Sequence, residues 1–160
     1  MSKVIVICGA TATGKSDIAI EVAKELGAEI INADSMQLYR GMDIGTAKLA
    51  VEERGGIPHH LLDVLDVNQD STVAWYQEQA RAVVTDIHAR GKDAVIVGGT
   101  GLYIKAILDD LNFPDTDPEV RAKLEAEAEE FGAASLFARL EELDPAAALA
   151  IDRANMRRVI

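Results

Sequence analysis

The segment VIVICGATATGKS spans residues 4–16 and joins a short apolar run to a loop bounded by glycines. Its last eight residues, Gly9–Ser16, match the pattern G-x-x-x-x-G-K-[ST] at every fixed position. The β-branched, apolar run at residues 3–8 is typical of a buried parallel strand. Apolar residues at helical spacing follow the loop as far as Leu26, and Gly27 predicts the end of that helix. A strand, a glycine loop and a helix in this order predict a phosphate-binding loop.

Each part of the loop has a chemical task in binding a diphosphate. The glycines allow the backbone to turn so that successive N–H groups point at phosphate oxygens. The helix that begins near Gly14 adds the positive end of its dipole. Lys15 supplies a positive charge between phosphates, and Ser16 supplies a hydroxyl to Mg²⁺. The predicted diphosphate-binding residues are Gly9, Ala10, Thr11, Ala12, Thr13, Gly14, Lys15 and Ser16, and Ser16 is also the predicted metal ligand.

Outward from this loop, the chain alternates between predicted strands and helices. The segments Glu29–Asn32 and Ala94–Val97 contain short apolar runs that predict a second and a third strand. Between them, residues 71–90 predict a long helix, which Gly91 ends. This alternation predicts an α/β fold with a parallel sheet flanked by helices, of the kind found in P-loop nucleotide-binding proteins.

The loop alone does not identify its ligand, because it can hold ATP, GTP or another diphosphate. An ATPase or GTPase of this kind usually adds an aspartate at the end of a strand to hold Mg²⁺. Here the third predicted strand ends in the segment 97–100 (VGGT), which has no carboxylate. Asp34 follows the second predicted strand, and the carboxyl ends of parallel strands face the ligand crevice. We therefore expect Asp34 to face the reacting end of the ligand.

Composition limits the class of protein. The chain has 160 residues, of which 49% are hydrophobic, and a formal net charge of −11. This charge argues against a protein that coats nucleic acid by bulk electrostatics, although it is compatible with a local basic groove. The apolar runs fall far below the roughly 20 residues needed to cross a bilayer, and the N-terminus does not resemble a secretory signal. With Cys8 as the only cysteine, we expect a cytoplasmic protein without membrane contact and a buried Cys8 thiol.

The sequence changes character near residues 112–115, whose composition is typical of a linker. Asp117-Pro118 and Asp144-Pro145 are helix start signals, and Gly132 divides the helical residues between them. We therefore predict two parts. They are a P-loop α/β core at residues 1–112 and a helical segment at residues 113–160.

Four further features have more than one interpretation. His59-His60 has no third ligand nearby at metal spacing, which favours a structural role in a loop over a metal site. The segment 98–101 (GGTG) is either a second anion-contacting turn or only a tight connection from strand to helix. Trp75 and Tyr76 are predicted to be packing residues. Arg121 is either an exposed helix charge or a contact to a nucleic-acid phosphate.

Five segments together resemble one enzyme family. They are the phosphate loop, DSMQLYRGMDIGTAK at 34–48, GIPHHLLD at 56–63, VGGTGLY at 97–103 and DPEVR at 117–121. Their order and spacing are similar to those of the tRNA dimethylallyltransferases, also called tRNA isopentenyltransferases. The segment at 34–48 is specific to this group and its relatives, whereas the phosphate loop is shared with many unrelated enzymes.

The resemblance implies a transfer reaction. Dimethylallyl diphosphate is the implied donor, and the implied acceptor is N6 of the adenosine 3′ of the anticodon in tRNAs that read codons starting with U. The loop residues Thr11–Ser16 would contact this donor, with Mg²⁺ as the implied cofactor. The implied catalytic residues are Asp34, as proton acceptor, and Thr100. The implied tRNA contacts are Asp34, Ser35, Met36, Gln37, Thr100 and Arg121.

Two departures and two alternatives accompany the resemblance. Ala10 stands where the family usually has proline, and family members are much longer than this chain. The resemblance thus implies an N-terminal fragment, which can be inactive on its own. The core at 1–112 would lack its C-terminal portion, and residues 113–160 would begin an all-helical insertion domain that clamps tRNA. A monomer is expected. One alternative is an adenylate dimethylallyltransferase that acts on free AMP, ADP or ATP. The other is a P-loop small-molecule kinase that binds ATP. The helical residues after Asp115 favour tRNA over a free nucleotide.

Overall fold

A computed structural model describes residues 2–109, 111–113 and 117–160. The chain forms two compact units, residues 1–113 and 114–160. The first unit is built on a parallel sheet whose spatial order is β1-β4-β2-β3. Its strands are β1 (Val4–Cys8), β2 (Glu29–Asn32), β3 (His59–His60) and β4 (Ala94–Gly98). The predicted α/β fold with a parallel sheet is therefore confirmed.

Helices cover both faces of this sheet. They are α1 (Lys15–Leu26), α2 (Val73–Ala89) and α3 (Gly101–Leu108), and a short 3-10 helix spans Val51–Arg54. Successive strand residues point to opposite faces, so two separate cores form. Ile30 and Val95 pack in the core that contains α1, whereas Ile31 and Ile96 pack in the core that contains residues of α2 and α3. This arrangement leaves the carboxyl ends of the strands available for a site.

Two tyrosines fix α2 and α3 near that end of the sheet. The rings of Tyr76 and Tyr103 are stacked with their centroids 3.8 Å apart. Tyr76 is fully buried, which raises the pKa of its hydroxyl, and that hydroxyl donates to the Asn32 carbonyl oxygen over 2.7 Å. Trp75 is half-buried against the same core. The prediction that both α2 residues pack is confirmed.

Three expectations about the strands were wrong. Strand β1 lies at an edge of the described sheet and is only half-buried, because one of its sides has no neighbouring strand there. Cys8, its last residue, is exposed rather than buried, since it lies where the chain leaves the sheet for the phosphate loop. His59 and His60 form the edge strand β3 instead of a loop. The His60 side chain pairs with Glu29, with Nε2 2.8 Å from Oε2.

The described residues of the second unit form helices. They are α4 (Pro118–Phe131), α5 (Ala133–Leu143), α6 (Pro145–Ala150) and α7 (Met156–Val159). The predicted helix starts are confirmed, because the Asp117 carboxylate accepts from two backbone N–H groups of the first turn of α4, and the Asp144 carboxylate accepts from one in α6. Residues 114–116 of the predicted linker lie outside the described residues. In the described parts of the chain, no helix combines the length and apolar character that a membrane span requires.

Candidate functional site

The phosphate loop lies where β1 passes into α1. Gly14, the residue before α1, has a φ of 77°, and Ala12 has a φ of 62°. Such left-handed backbone costs little at Gly14, because glycine has no Cβ. Thr13 Oγ1 donates to the Ala10 carbonyl oxygen over 2.9 Å, and the Lys15 ammonium donates to the same oxygen. These contacts close the loop on itself at the positive end of the α1 dipole.

The loop forms one wall of a cleft of about 230 Å³. Loop residues 11–16 line it together with Asp34 and Gln37, which follow β2. The structure therefore brings six of the eight predicted phosphate-binding residues to one cavity with the predicted proton acceptor, whereas Gly9 and Ala10 are not among the residues that line it. A larger hollow of about 570 Å³ lies in the second unit, where Arg153 and Phe137 are among its lining residues. None of the predicted site residues lines that hollow, so the cleft is the candidate site.

Asp34 is held in the cleft chiefly through its backbone. Its N–H donates to Asn32 Oδ1 over 3.0 Å, and its carbonyl oxygen accepts from Asn32 Nδ2 over 2.9 Å. The Asp34 carboxylate accepts one hydrogen bond among the described residues, from the Met36 N–H to Oδ1 over 2.9 Å. Its other oxygen bears no hydrogen bond within the described residues, and a proton acceptor needs such an available lone pair.

Thr100 lies where β4 passes into α3, beside the turn that carries Asp34. Its Oγ1 accepts from the Ser35 N–H over 3.2 Å, and its own N–H donates to the Ala33 carbonyl oxygen over 3.1 Å. A Cβ at Gly98 would lie only 2.3 Å from the Ala33 carbonyl carbon and oxygen. The connection is therefore tight at Gly98, where only glycine fits without a backbone shift, and Gly98 and Gly99 also line the cleft.

The remaining predicted tRNA contacts occupy three settings. Gln37 lines the cleft and donates from Nε2 to the Thr46 carbonyl oxygen over 2.9 Å. The Met36 side chain next to it is exposed. Arg121 belongs to the second unit, where its Nε lies 3.0 Å from Glu125 Oε1 one helical turn away. The structure thus places the turn 34–37 at the cleft and describes Arg121 in a separate compact unit.

Sequence reasoning missed Lys48, which anchors the segment after Asp34. Its side chain is only 2% exposed. Its Nζ donates to Asp63 Oδ1 over 2.6 Å, to Asp43 Oδ1 over 2.9 Å and to the Tyr39 carbonyl oxygen over 2.6 Å. Burial alone would lower the pKa of Lys48, but its hydrogen bonds to the Asp43 and Asp63 carboxylates, with their negative charges, outweigh burial and raise the pKa. Its position as the last residue of the 34–48 segment was the only signal.

Asn32 was missed as well, although an asparagine side chain often accepts a hydrogen bond from the backbone two residues further on in a turn. It is buried at the end of β2 and lines the cleft. Its amide holds the Asp34 backbone, as described above, and Nδ2 also donates to the Leu61 carbonyl oxygen over 2.9 Å. The partner in the distant residue Leu61 could not be read from the local pattern.

Comparison with known proteins identifies the family. The sequence model described as IPP transferase matches residues 37–160, which is most of the chain. The chain belongs to the IPP transferase family. It is 59% identical to the tRNA dimethylallyltransferase of Thermobifida fusca over 100% of this chain and 52% of the relative. It is 56% identical to that of Paenarthrobacter aurescens over 98% of this chain and 50% of the relative.

Solved structures of similar proteins support the membership. The tRNA isopentenylpyrophosphate transferase of Bacillus halodurans is 45% identical, with a TM-score of 0.69 over 99% of this chain and 53% of that one. A eukaryotic dimethylallyltransferase acting on tRNA is 31% identical, with a TM-score of 0.86 over 99% of this chain and 40% of that one. The IPP transferase chain described here spans about half the length of the curated relatives it matches.

Proposed function

We propose that the protein transfers a dimethylallyl group from dimethylallyl diphosphate to N6 of the adenosine 3′ of the anticodon in tRNAs that read codons starting with U. The observation that carries this proposal is the single cleft lined by both the phosphate loop and Asp34. The loop suits a diphosphate leaving group, and the carboxylate suits an incoming amine. Family membership and the names of the relatives support the same reaction.

The proposed reaction is a displacement at the allylic carbon of the donor. The N6 lone pair forms the new C–N bond, the C–O bond to the diphosphate breaks, and the electron pair of that bond leaves on the diphosphate. Lys15 and the backbone N–H groups of the loop stabilise the charge that builds on the leaving oxygens. The proton that N6 loses passes to Asp34, whose second carboxylate oxygen bears no hydrogen bond among the described residues.

The donor set of the cleft fits Mg²⁺, which prefers oxygen ligands and retains several waters. The Ser16 hydroxyl and the Asp34 carboxylate line the same cleft. Among residues 2–109, 111–113 and 117–160, no cluster of three or more His, Cys, Asp or Glu side chains is placed to hold a metal ion. We propose that the Ser16 hydroxyl would hold the ion when the diphosphate is bound. When bound there, Mg²⁺ would neutralise charge on the leaving group.

The turn 34–37 and Thr100 are proposed to contact the tRNA beside the cleft. The exposed side chain of Met36 and the bond between Thr100 and the Ser35 N–H support this placement. Residues 113–160 are proposed to begin a helical domain that clamps the anticodon arm, with Arg121 contacting the tRNA. The target adenosine must leave its base stack to reach Asp34, at a cost of a few kcal/mol. A cytoplasmic monomer remains our prediction, and the exposed Cys8 thiol suits a reducing compartment.

A transfer assay with labelled dimethylallyl diphosphate tests the proposal. The acceptors to be compared are an anticodon stem-loop and free AMP, and calorimetry with dimethylallyl diphosphate and with ATP measures binding at the loop. We expect donor binding and transfer to the stem-loop. Transfer to AMP alone would indicate an adenylate dimethylallyltransferase. Tight ATP binding without donor binding would indicate a kinase.

A further inference from the structure

Asn32 holds the turn that carries the candidate proton acceptor. Its side chain is buried, with the residue only 3% exposed. The Asn32 side-chain amide accepts from the Asp34 N–H through Oδ1 and donates to the Asp34 carbonyl oxygen through Nδ2. Both backbone polar groups of Asp34 are therefore bonded to the same side chain. Nδ2 also donates to the carbonyl oxygen of Leu61, whose φ is 59°. The amide thus joins the Asp34 turn to the segment that follows β3.

Asn32 is itself fixed from the opposite side of the sheet. Its carbonyl oxygen accepts from the buried Tyr76 hydroxyl over 2.7 Å. Asp34, by contrast, forms no ion pair within the described residues, and its carboxylate accepts only from the Met36 N–H there. The orientation of Asp34 therefore depends on its backbone, and the Asn32 side chain fixes that backbone.

We propose that Asn32 is a positioning residue, whose side-chain amide orients the Asp34 backbone so that the carboxylate faces the phosphate loop. This inference rests on the proposed function for its effect on transfer, but its effect on the turn is independent of that function. An amide is required because the task needs two donors and an acceptor on one short side chain. A carboxylate at the same position accepts from the Asp34 N–H but has no proton for the carbonyl oxygens of Asp34 and Leu61.

The test compares Asn32→Asp with a matched change at Gln77. Gln77 Nε2 also donates to two carbonyl oxygens, those of Ala106 and Leu111, each over 2.9 Å. Gln77→Glu therefore removes the same kind and number of donated hydrogen bonds from α2 without touching the Asp34 turn. Asn32→Ala is a third variant, which removes the amide without adding a negative charge.

Two measurements are made on each variant. Hydrogen exchange reports the order of residues 34–37, and steady-state kinetics with dimethylallyl diphosphate and an anticodon stem-loop separate kcat from KM. In both Asn32 variants we expect exchange at 34–37 to be about tenfold faster. We also expect kcat to fall about 100-fold, because a small misplacement of a reacting group has effects of that size, while KM for the donor stays within about threefold. Gln77→Glu should change neither the exchange at residues 34–37 nor kcat.

Each other outcome has a definite meaning. Unchanged exchange at 34–37 in the Asn32 variants overturns the proposal, and so does an equal loss of kcat in Gln77→Glu. A loss of kcat confined to Asn32→Asp would assign the effect to the added charge and would also overturn it. If the wild-type protein neither binds dimethylallyl diphosphate nor transfers its dimethylallyl group, the proposed function fails, and the exchange measurement still decides whether Asn32 orders the turn.

Discussion

Glu29, the first residue of β2, and Asp34, two residues beyond its last, are carboxylates at opposite ends of one strand. Glu29 is 2% exposed and accepts hydrogen bonds from two cations, through both terminal nitrogens of Arg90 and through Lys92, and its Oε2 lies 2.8 Å from His60 Nε2. The Arg90 hydrogen bonds outweigh burial and, with Lys92 and His60, hold the pKa of Glu29 far below its ordinary value.

Asp34 has none of these partners within the described residues. The constraint on it acts through the backbone, by way of Asn32, and one carboxylate oxygen carries no hydrogen bond there. A carboxylate whose oxygens are fully occupied stabilises the fold. A carboxylate held by its main chain keeps its oxygens for a ligand. Substitutions at the two ends should therefore affect different measurements.

The largest expected effect is that of Asp34→Asn. The amide keeps the size of the side chain and the Oδ1 acceptor for the Met36 N–H, but it is not a proton acceptor of useful strength. Under the proposed function, we expect kcat to fall about 100- to 10,000-fold, the usual contribution of a general base. The free energy of unfolding should change by about 0.5 kcal/mol or less. Single-turnover transfer and urea denaturation measure the two quantities, and wild-type kcat in the variant would exclude Asp34 as the base.

Glu29→Gln should have the opposite effect: it should lower the unfolding free energy and leave transfer unchanged. A neutral amide cannot form ion pairs with Arg90 and Lys92, so the variant should lose about 3 kcal/mol of unfolding free energy. This value is at the lower end for a broken buried pair, because both cations reach solvent. Transfer by the folded protein should be unchanged. Glu21→Gln is the control, since Glu21 pairs with Lys24 in solvent and its loss should cost about 0.5 kcal/mol or less. Equal losses of unfolding free energy in the Glu29 and Glu21 variants would contradict a stabilising role for the buried Glu29 carboxylate.

Gly98→Ala tests the connection that supports the Asp34 end. Its Cβ would overlap the Ala33 carbonyl group, so the backbone must shift and about 2 kcal/mol of unfolding free energy should be lost. Transfer should also slow, because Ala33 directly precedes Asp34. Gly45→Ala is the matched control, since a Cβ at Gly45 meets no atom within 4 Å. Equal unfolding free energies for the two alanine variants would show that the turn tolerates a side chain.

Low pH should reduce the difference in unfolding free energy between the wild type and the Glu29→Gln variant. Because the folded pKa of Glu29 lies below its ordinary value of 4.5, the stabilisation is complete above that value and decreases as the pH falls. At about pH 3.5 the advantage of the wild type should be smaller by about 1.4 kcal/mol than at neutral pH. Urea denaturation of both proteins at the two pH values measures this, and a constant difference would contradict the assigned pKa direction.

The parts of the molecule that local sequence determines were predictable. The phosphate loop follows from the spacing of Gly9, Gly14 and Lys15, and β2 begins and ends where its apolar run indicated. The exposure of Cys8 was not predictable, because it depends on where the chain leaves the sheet and not on the apolar run before it. The strand at His59–His60 is too short to have a periodic pattern.

The residues that hold the candidate site in place could not be predicted, for a related reason. Asn32 bonds to Leu61, and Lys48 bonds to Asp63, so each acts through a residue that is distant in sequence. A single sequence shows that Asn32 and Lys48 are present but not which residues they meet. The roles assigned to Asp34, Thr100 and Arg121 came from the resemblance, and they remain predictions.

The stacked tyrosines lie close to the only tryptophan of the chain, Trp75, and Tyr39 completes the set of tyrosines. All four chromophores belong to the first unit, and residues 114–160 contain neither tryptophan nor tyrosine. Fluorescence and near-ultraviolet circular dichroism consequently report on the sheet unit, with phenylalanine as the only aromatic signal from the helical one. Combined with far-ultraviolet circular dichroism, they allow the melting of the two units to be distinguished in one unlabelled sample.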